Sequence, residues 1–154
     1  MRARRVKVPE QIRALDGLQQ PGYADAFEIT AGGIERSAEA WVRSVFEGLP
    51  RWQRVVLLLA WRVVLGFRPG PADPAHVLGW RISTATPGVV TLEQSSWLMG
   101  AHIVLRVSGA RLLLVTQVRR DNLAGRVLWS AAAIVHRRCI PYALNRAVAS
   151  GGLT

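Results

Sequence analysis

Apolar residues recur along this chain with two different periods, and the change between them separates helices from strands. Two segments carry the helical spacing of three and four. In the first, Ser37 has the character of an N-cap, and Glu39 lies in the first turn. Trp41, Val42, Val45 and Phe46 follow, and Gly48 and Pro50 close the run. The second starts after Pro50 and runs through Trp52, Val55, Val56, Leu59, Val63 and Val64. Gly66 and Pro69-Gly70-Pro71 stop it.

The period then drops to two. Residues 77–84 alternate Leu78, Trp80 and Ile82 against Gly79, Arg81 and Ser83. Pro87-Gly88 turns the chain into a strand over residues 89–95. Residues 101–108 alternate Ile103, Leu105 and Val107 against His102, Val104 and Arg106. Ser108-Gly109-Ala110 then leads into a strand over residues 111–119. Consecutive strands of this kind predict an antiparallel meander. With a strand over residues 23–30, before a break at Gly32-Gly33, the expected number is five.

A long helix over residues 121–149 comes last, capped by Asp121 or Asn122. Leu128, Ala132, Val135, Cys139 and Tyr142 make an apolar stripe on it, expected to grip the sheet. Pro141 predicts a kink or a break. Residues 1–20 read as a basic arm in which Ile12, Leu15 and Leu18 form one docked amphipathic turn. Residues 21–149 read as one domain and residues 150–154 as a frayed tail. The fold class is therefore α+β, with an antiparallel sheet wrapped on a long C-terminal helix and two short helices after the first strand.

Composition narrows the function. The 154 residues are 50% hydrophobic and 19% charged, which fits one folded domain. The net charge is +10, nearly all of it arginine. It is compatible with anionic partners, but an Arg- and Ala-rich coding bias produces the same composition. The arginines do not cluster with aromatics on one strand face, so a nucleic-acid role ranks last. The single cysteine, Cys139, excludes an internal disulfide and reads as a buried small hydrophobe in a cytoplasmic protein. The apolar run from Val55 falls short of the ~20 residues of a membrane span, and no signal-type apolar region follows the basic N-terminus.

The element order resembles the helix-grip fold of the SRPBCC superfamily, which includes START domains and aromatic cyclases. The nearer resemblance is to a bacterial branch of unknown function. It rests on Tyr23-Ala24-Asp25-Ala26-Phe27, Leu78-Gly79-Trp80 and Thr116-Gln117-Val118, then on Asn122, Gly125-Arg126, Trp129, His136, Pro141 and Leu144. It implies an apolar cavity between the sheet and the last helix. Larger members have six or seven strands, against the five expected from this sequence.

The candidate ligand-binding residues are Trp80, Trp97, His102, Trp129, Ala133 and His136. Trp129 and His136 lie seven residues apart on one side of the helix, with Ala132 and Ala133 between them. They form either a cavity wall or a boundary pair. Trp97, in a loop between strands, is a candidate lid. His102 and Arg106 are expected on the solvated strand face, and most of the six tryptophans in the core. No metal or cofactor is expected, because the three histidines show no metal-ligand spacing. No nucleophile elbow or phosphate loop is present. The leading expectation is a protein that binds a small apolar or aromatic molecule. The alternatives are a cyclase- or dehydratase-like enzyme using His136 or His102, and a protein that meets a membrane or partner through the helix from Trp52 to Phe67.

Overall fold

The computed structural model describes residues 2–15, 22–31 and 35–151. Its strands are β1 (Arg4–Val6), β2 (Tyr23–Thr30), β3 (His76–Val77), β4 (Trp80–Ala85), β5 (Val89–Ser95), β6 (Met99–Ser108) and β7 (Arg111–Arg120). Its helices are α1 (Glu10–Leu15), α2 (Ala38–Phe46), α3 (Arg51–Leu59) and α4 (Leu123–Gly151), with a π-helical turn over Ala60–Val64. All seven strands form one antiparallel sheet in the order β1-β2-β7-β6-β5-β4-β3. The expected break at Gly32-Gly33, Leu18 of the expected amphipathic turn, and residues 152–154 of the expected tail lie outside the described residues.

Two strands exceed the expected five, each for a local reason. β1 lies in the segment read as an arm and pairs with β2, Arg5 opposite Phe27. β3 lies next to the run read as one strand. That run contains a turn at Leu78-Gly79, with φ of 47° and 85°. Positive φ at both central residues turns a two-residue hairpin, and Val77 pairs with Trp80 across it. Gly79 has a second reason to be glycine, because a Cβ there would press on Pro69.

The sheet has one heavily covered face. Phe27, Ile29, Leu92, Ile103, Leu105, Leu114 and Val118 bury themselves against α2 and α4. Trp41, Val42, Val45 and Phe46 of α2 fill much of that core. Ser37 caps α2 as expected, its Oγ accepting from the Ala40 N–H at 3.2 Å. The opposite face carries a smaller cluster of Ala26, Val104, Leu113 and Val115, covered by Val8 and by Ile12 of α1. His102 and Arg106 share that outer face.

α4 lies across the heavily covered face, but not on the expected stripe. Val135, Cys139 and Tyr142 are exposed, whereas Trp129, Ala133, Ile140, Ala143, Leu144 and Ala147 are buried. The seated face is mostly glycine and alanine, which lets the helix approach closely but gives little apolar signal in sequence. The helix also runs unbroken through Pro141, with Ile140, Ala143 and Leu144 buried on both sides of it. It continues to Gly151, so the first two residues of the expected tail are helical.

The β5–β6 loop fixes the start of α4. Asn122 caps the helix, its Oδ1 accepting from the Gly125 N–H at 2.8 Å and its Nδ2 donating to the Trp97 carbonyl at 2.9 Å. A Cβ at Gly125 would collide with the Leu98 carbonyl oxygen. Alanine normally stabilises a helix interior by about 1 kcal/mol over glycine. At this position the collision reverses the sign. Gly125→Ala is expected to lower unfolding stability by about 1–3 kcal/mol, the usual cost of overpacking. Urea midpoints measure it, and a stabilised variant would refute the close seating.

Candidate ligand cavity beneath the last helix

A cavity of about 440 Å³ opens between α4 and the inner face of the sheet. Its floor is Ala101, Ile103, Thr116, Val118 and Trp80; its roof includes Trp129, Ala132, Val135, His136 and Ile140. Phe46, Leu49, Leu57, Trp61, Leu65 and Phe67 wall one side. Edge-to-face aromatic contacts stiffen that side: Trp61–Trp80 at 5.4 Å, Phe67–Trp80 at 5.6 Å and Phe46–Trp61 at 6.3 Å.

The mouth lies between α3 and α4. Trp52, Val56 and Val64 face Val135, Cys139 and Tyr142 there. Gln53 Nε2 donates to Tyr142 Oη at 3.1 Å and ties the two helices together. No residue of α3 or of the π-helical turn is buried. The second predicted helix thus ends in a wider turn, in which the Leu65 N–H bonds back to the Ala60 carbonyl at 3.3 Å. Gly66, at φ 71°, then reverses the chain, and the Phe67 N–H reaches the Trp61 carbonyl at 2.9 Å. That reversal sends Leu65 and Phe67 inward while Val63 stays outside.

A polar cluster on β2 lies behind Thr116, Trp129 and His136 of the cavity lining. Asp25 on β2 is 1% exposed. Its Oδ2 accepts from Tyr23 Oη at 2.5 Å and lies 3.4 Å from His136 Nε2 on α4. Trp129 packs between these groups, 5.2 Å from the Tyr23 ring and 5.4 Å from the His136 ring. Thr116 stands directly opposite Asp25 on β7. Asp25 Oδ1, Thr116 Oγ1 and Trp129 Nε1 are buried without a hydrogen-bond partner among the described residues. An unmet buried polar atom costs about 1–3 kcal/mol, so Thr116 and Trp129, which line the cavity, favour an occupant with a hydrogen-bonding group.

Desolvation holds the Tyr23 phenol protonated well above its ordinary range. Its hydrogen bond to Asp25 and the nearby carboxylate add to the effect, while Arg137 and Arg5 oppose it. Burial also pushes the Cys139 thiol up. Cys139 is exposed at the mouth, not the buried hydrophobe expected, and its raised pKa disfavours a thiolate nucleophile.

Of the six candidate residues, the structure brings Trp80, Trp129 and His136 together on the cavity. Ala133 is buried beside it, and its neighbour Ala132 is the alanine that lines the space. Trp97 is 74% exposed and outside the lining, and its loop holds the start of α4 through the Trp97 and Leu98 carbonyls. His102 lies on the outer face, 3.6 Å from Glu93, which also pairs with Arg81. Three tryptophans are buried, Trp41, Trp80 and Trp129, while Trp52 joins Trp97 among the exposed ones. Sequence reasoning missed the roles of Tyr23, Asp25 and Thr116. Their signal was Asp25 in phase with Tyr23, Phe27 and Ile29 along one face of the strand, whereas the strand's other acid, Glu28, falls on the opposite face. No protein-family model and no curated protein matches the chain.

The Tyr23 environment makes a pH prediction. An unfolded chain ionises its tyrosines near pH 10, while the native Tyr23 keeps its proton. The stability this contributes is fully present below pH 10 and is lost as pH rises beyond it. Urea midpoints between about pH 9 and about pH 11 should fall less in Tyr23→Phe than in the parent chain. An equal fall in both would remove the phenol from the account.

Proposed function

We propose that this chain binds a small, largely apolar molecule in the cavity under α4, as a helix-grip protein of the SRPBCC type. The observation that carries the reading is an apolar cavity of about 440 Å³ whose lining includes Thr116, Trp129 and His136, each with a polar side-chain atom lacking a hydrogen-bond partner among the described residues. Small-molecule sites span roughly 300–1,000 Å³ and pair apolar walls with a few convergent polar groups. Thr116 Oγ1 and Trp129 Nε1 would meet a carbonyl or hydroxyl on the ligand, while Ile103, Val118 and Ile140 cover its apolar body. Seven strands with a long closing helix also agree with the larger members of that superfamily.

The contact between His136 and Asp25 favours a second reading, an acid–base enzyme on the same scaffold. A His136→Gln variant separates the two. In the second reading it lowers turnover of the bound compound far more than affinity; in the first, affinity is all that can change.

Nile red, a neutral apolar dye with one carbonyl, tests the cavity. It should bind saturably with one site, and Ala132→Trp should weaken it by more than about tenfold, or ~1.4 kcal/mol. Ala132 is half-buried and faces the space, so the variant should fold. Ala133→Trp is unsuitable because Ala133 is 2% exposed within the core. Unsaturable binding, or affinity unchanged in Ala132→Trp, would exclude the site.

A further inference from the structure

The outer side of α3 and its π-helical turn is an unpartnered apolar surface. Trp52, Val55, Val56, Leu59 and Val63 recur at helical spacing and all face outward, Trp52 at 67%, Leu59 at 55% and Val63 at 76% exposed. Isolated exposed apolar residues are ordinary, but a contiguous stripe on a helix with no buried residue marks an interaction face.

Charge identifies the partner. Arg51, Arg54, Arg62 and Arg68 flank the stripe, and α4, whose Val135, Cys139 and Tyr142 edge the mouth, carries four arginines and no carboxylate, Arg137 among them turning away over the Tyr23 ring. None of the ten Asp and Glu residues lies within residues 48–72 or 122–154. The acidic residues that balance the rest of the molecule are therefore missing from both helices at the mouth. A second copy fits this face badly, because a twofold contact would bring two arginine-bearing surfaces together with no carboxylate on either to pair them. A helix with apolar residues on one side and arginines beside them suits the headgroup region of an anionic bilayer.

We propose that this face docks on an anionic lipid surface, bringing the cavity mouth against the bilayer so that the apolar ligand passes between the two without crossing water. The proposal rests on reading the cavity as a ligand site. Trp52 and Val56 belong both to the docking stripe and to the mouth. Docking there places the Gln53–Tyr142 hydrogen bond that ties α3 to α4 at the membrane.

Co-sedimentation of the full chain with phosphatidylcholine vesicles, with and without phosphatidylglycerol, tests it. Binding should require the anionic lipid and weaken at high salt. Arg54→Ala or Arg62→Ala should each weaken it by about fivefold. Leu59→Glu combined with Val63→Glu should weaken it by more than about tenfold. Neither of those residues lines the cavity, so Nile red affinity in lipid-free buffer should stay within about twofold of the parent chain. Three results would overturn the docking: no sedimentation with anionic vesicles at low salt; vesicle binding untouched by the two glutamates; or a concentration-dependent dimer that they abolish in place of vesicle binding. Failure of the cavity reading shows separately, as Nile red binding that is absent or insensitive to Ala132→Trp, whatever the vesicles do.

Discussion

Asp25 is a carboxylate held on the inner face of a sheet at 1% exposure, and the setting of the closing helix depends on it. A buried acidic group is tolerated only with close polar company. Tyr23 donates to Asp25 Oδ2 from the same strand, and His136 Nε2 of α4 lies 3.4 Å from that oxygen, while Oδ1 stays unmet among the described residues. The rotation of α4 that brings His136 to Asp25 also turns Trp129 and Ala133 inward. Ala132 and Val135 then face the cavity, and Arg138 is left outside. Gly125 sets the height of the same helix against the β5–β6 loop. The polar cluster and the close backbone approach together fix one placement among several that the helix's apolar residues permit.

The cavity follows from an inequality between the two short helices. α2 sinks four large side chains into the core. α3 follows it after only a few residues yet buries none of its own. A π-helical turn and a left-handed Gly66 then return the chain to the core through Leu65 and Phe67. The space that a second buried helix would fill is left lined by apolar side chains. Its mouth is edged by exposed ones. A cavity for an apolar ligand and an apolar outer surface are thus two results of one segment standing away from the sheet.

Much of the fold was legible because burial imposes a period. The strand containing Ile103 was read from alternation, those containing Phe27, Leu92 and Leu114 from the breaks and turns that bound them, and the helix containing Trp41 and Val45 from three-four spacing. The same logic put His102 on the outer face and Trp129 beside His136. It failed where the physical cause leaves no periodic trace. The Leu78-Gly79 turn puts Val77 on the same face as Trp80, three residues on, but β3 has only two residues, too few to show that change of phase. β1 is short and basic, and its pairing with β2 depends on a distant strand. Five of the eight seated residues of α4 are glycine or alanine, so the bulkier stripe of Val135, Cys139 and Tyr142 drew attention to the mouth instead. In the site, Asp25 and Thr116 were visible as letters of a motif but not as neighbours, since only the β2–β7 register sets them opposite each other.

The sequence by itself determined the class of structure: an antiparallel sheet, two helices between the first predicted strand and the meander, and a long helix at the end. Those depend on local spacing, capping and turn chemistry, which each segment carries within itself. The tertiary structure alone decided that α3 stands out from the core, that Ala132 rather than Ala133 meets the cavity, and that Tyr23, Asp25 and His136 converge. Those depend on the relative height and rotation of packed elements. Such quantities are set by close contacts between residues far apart in the chain, and no local period records them.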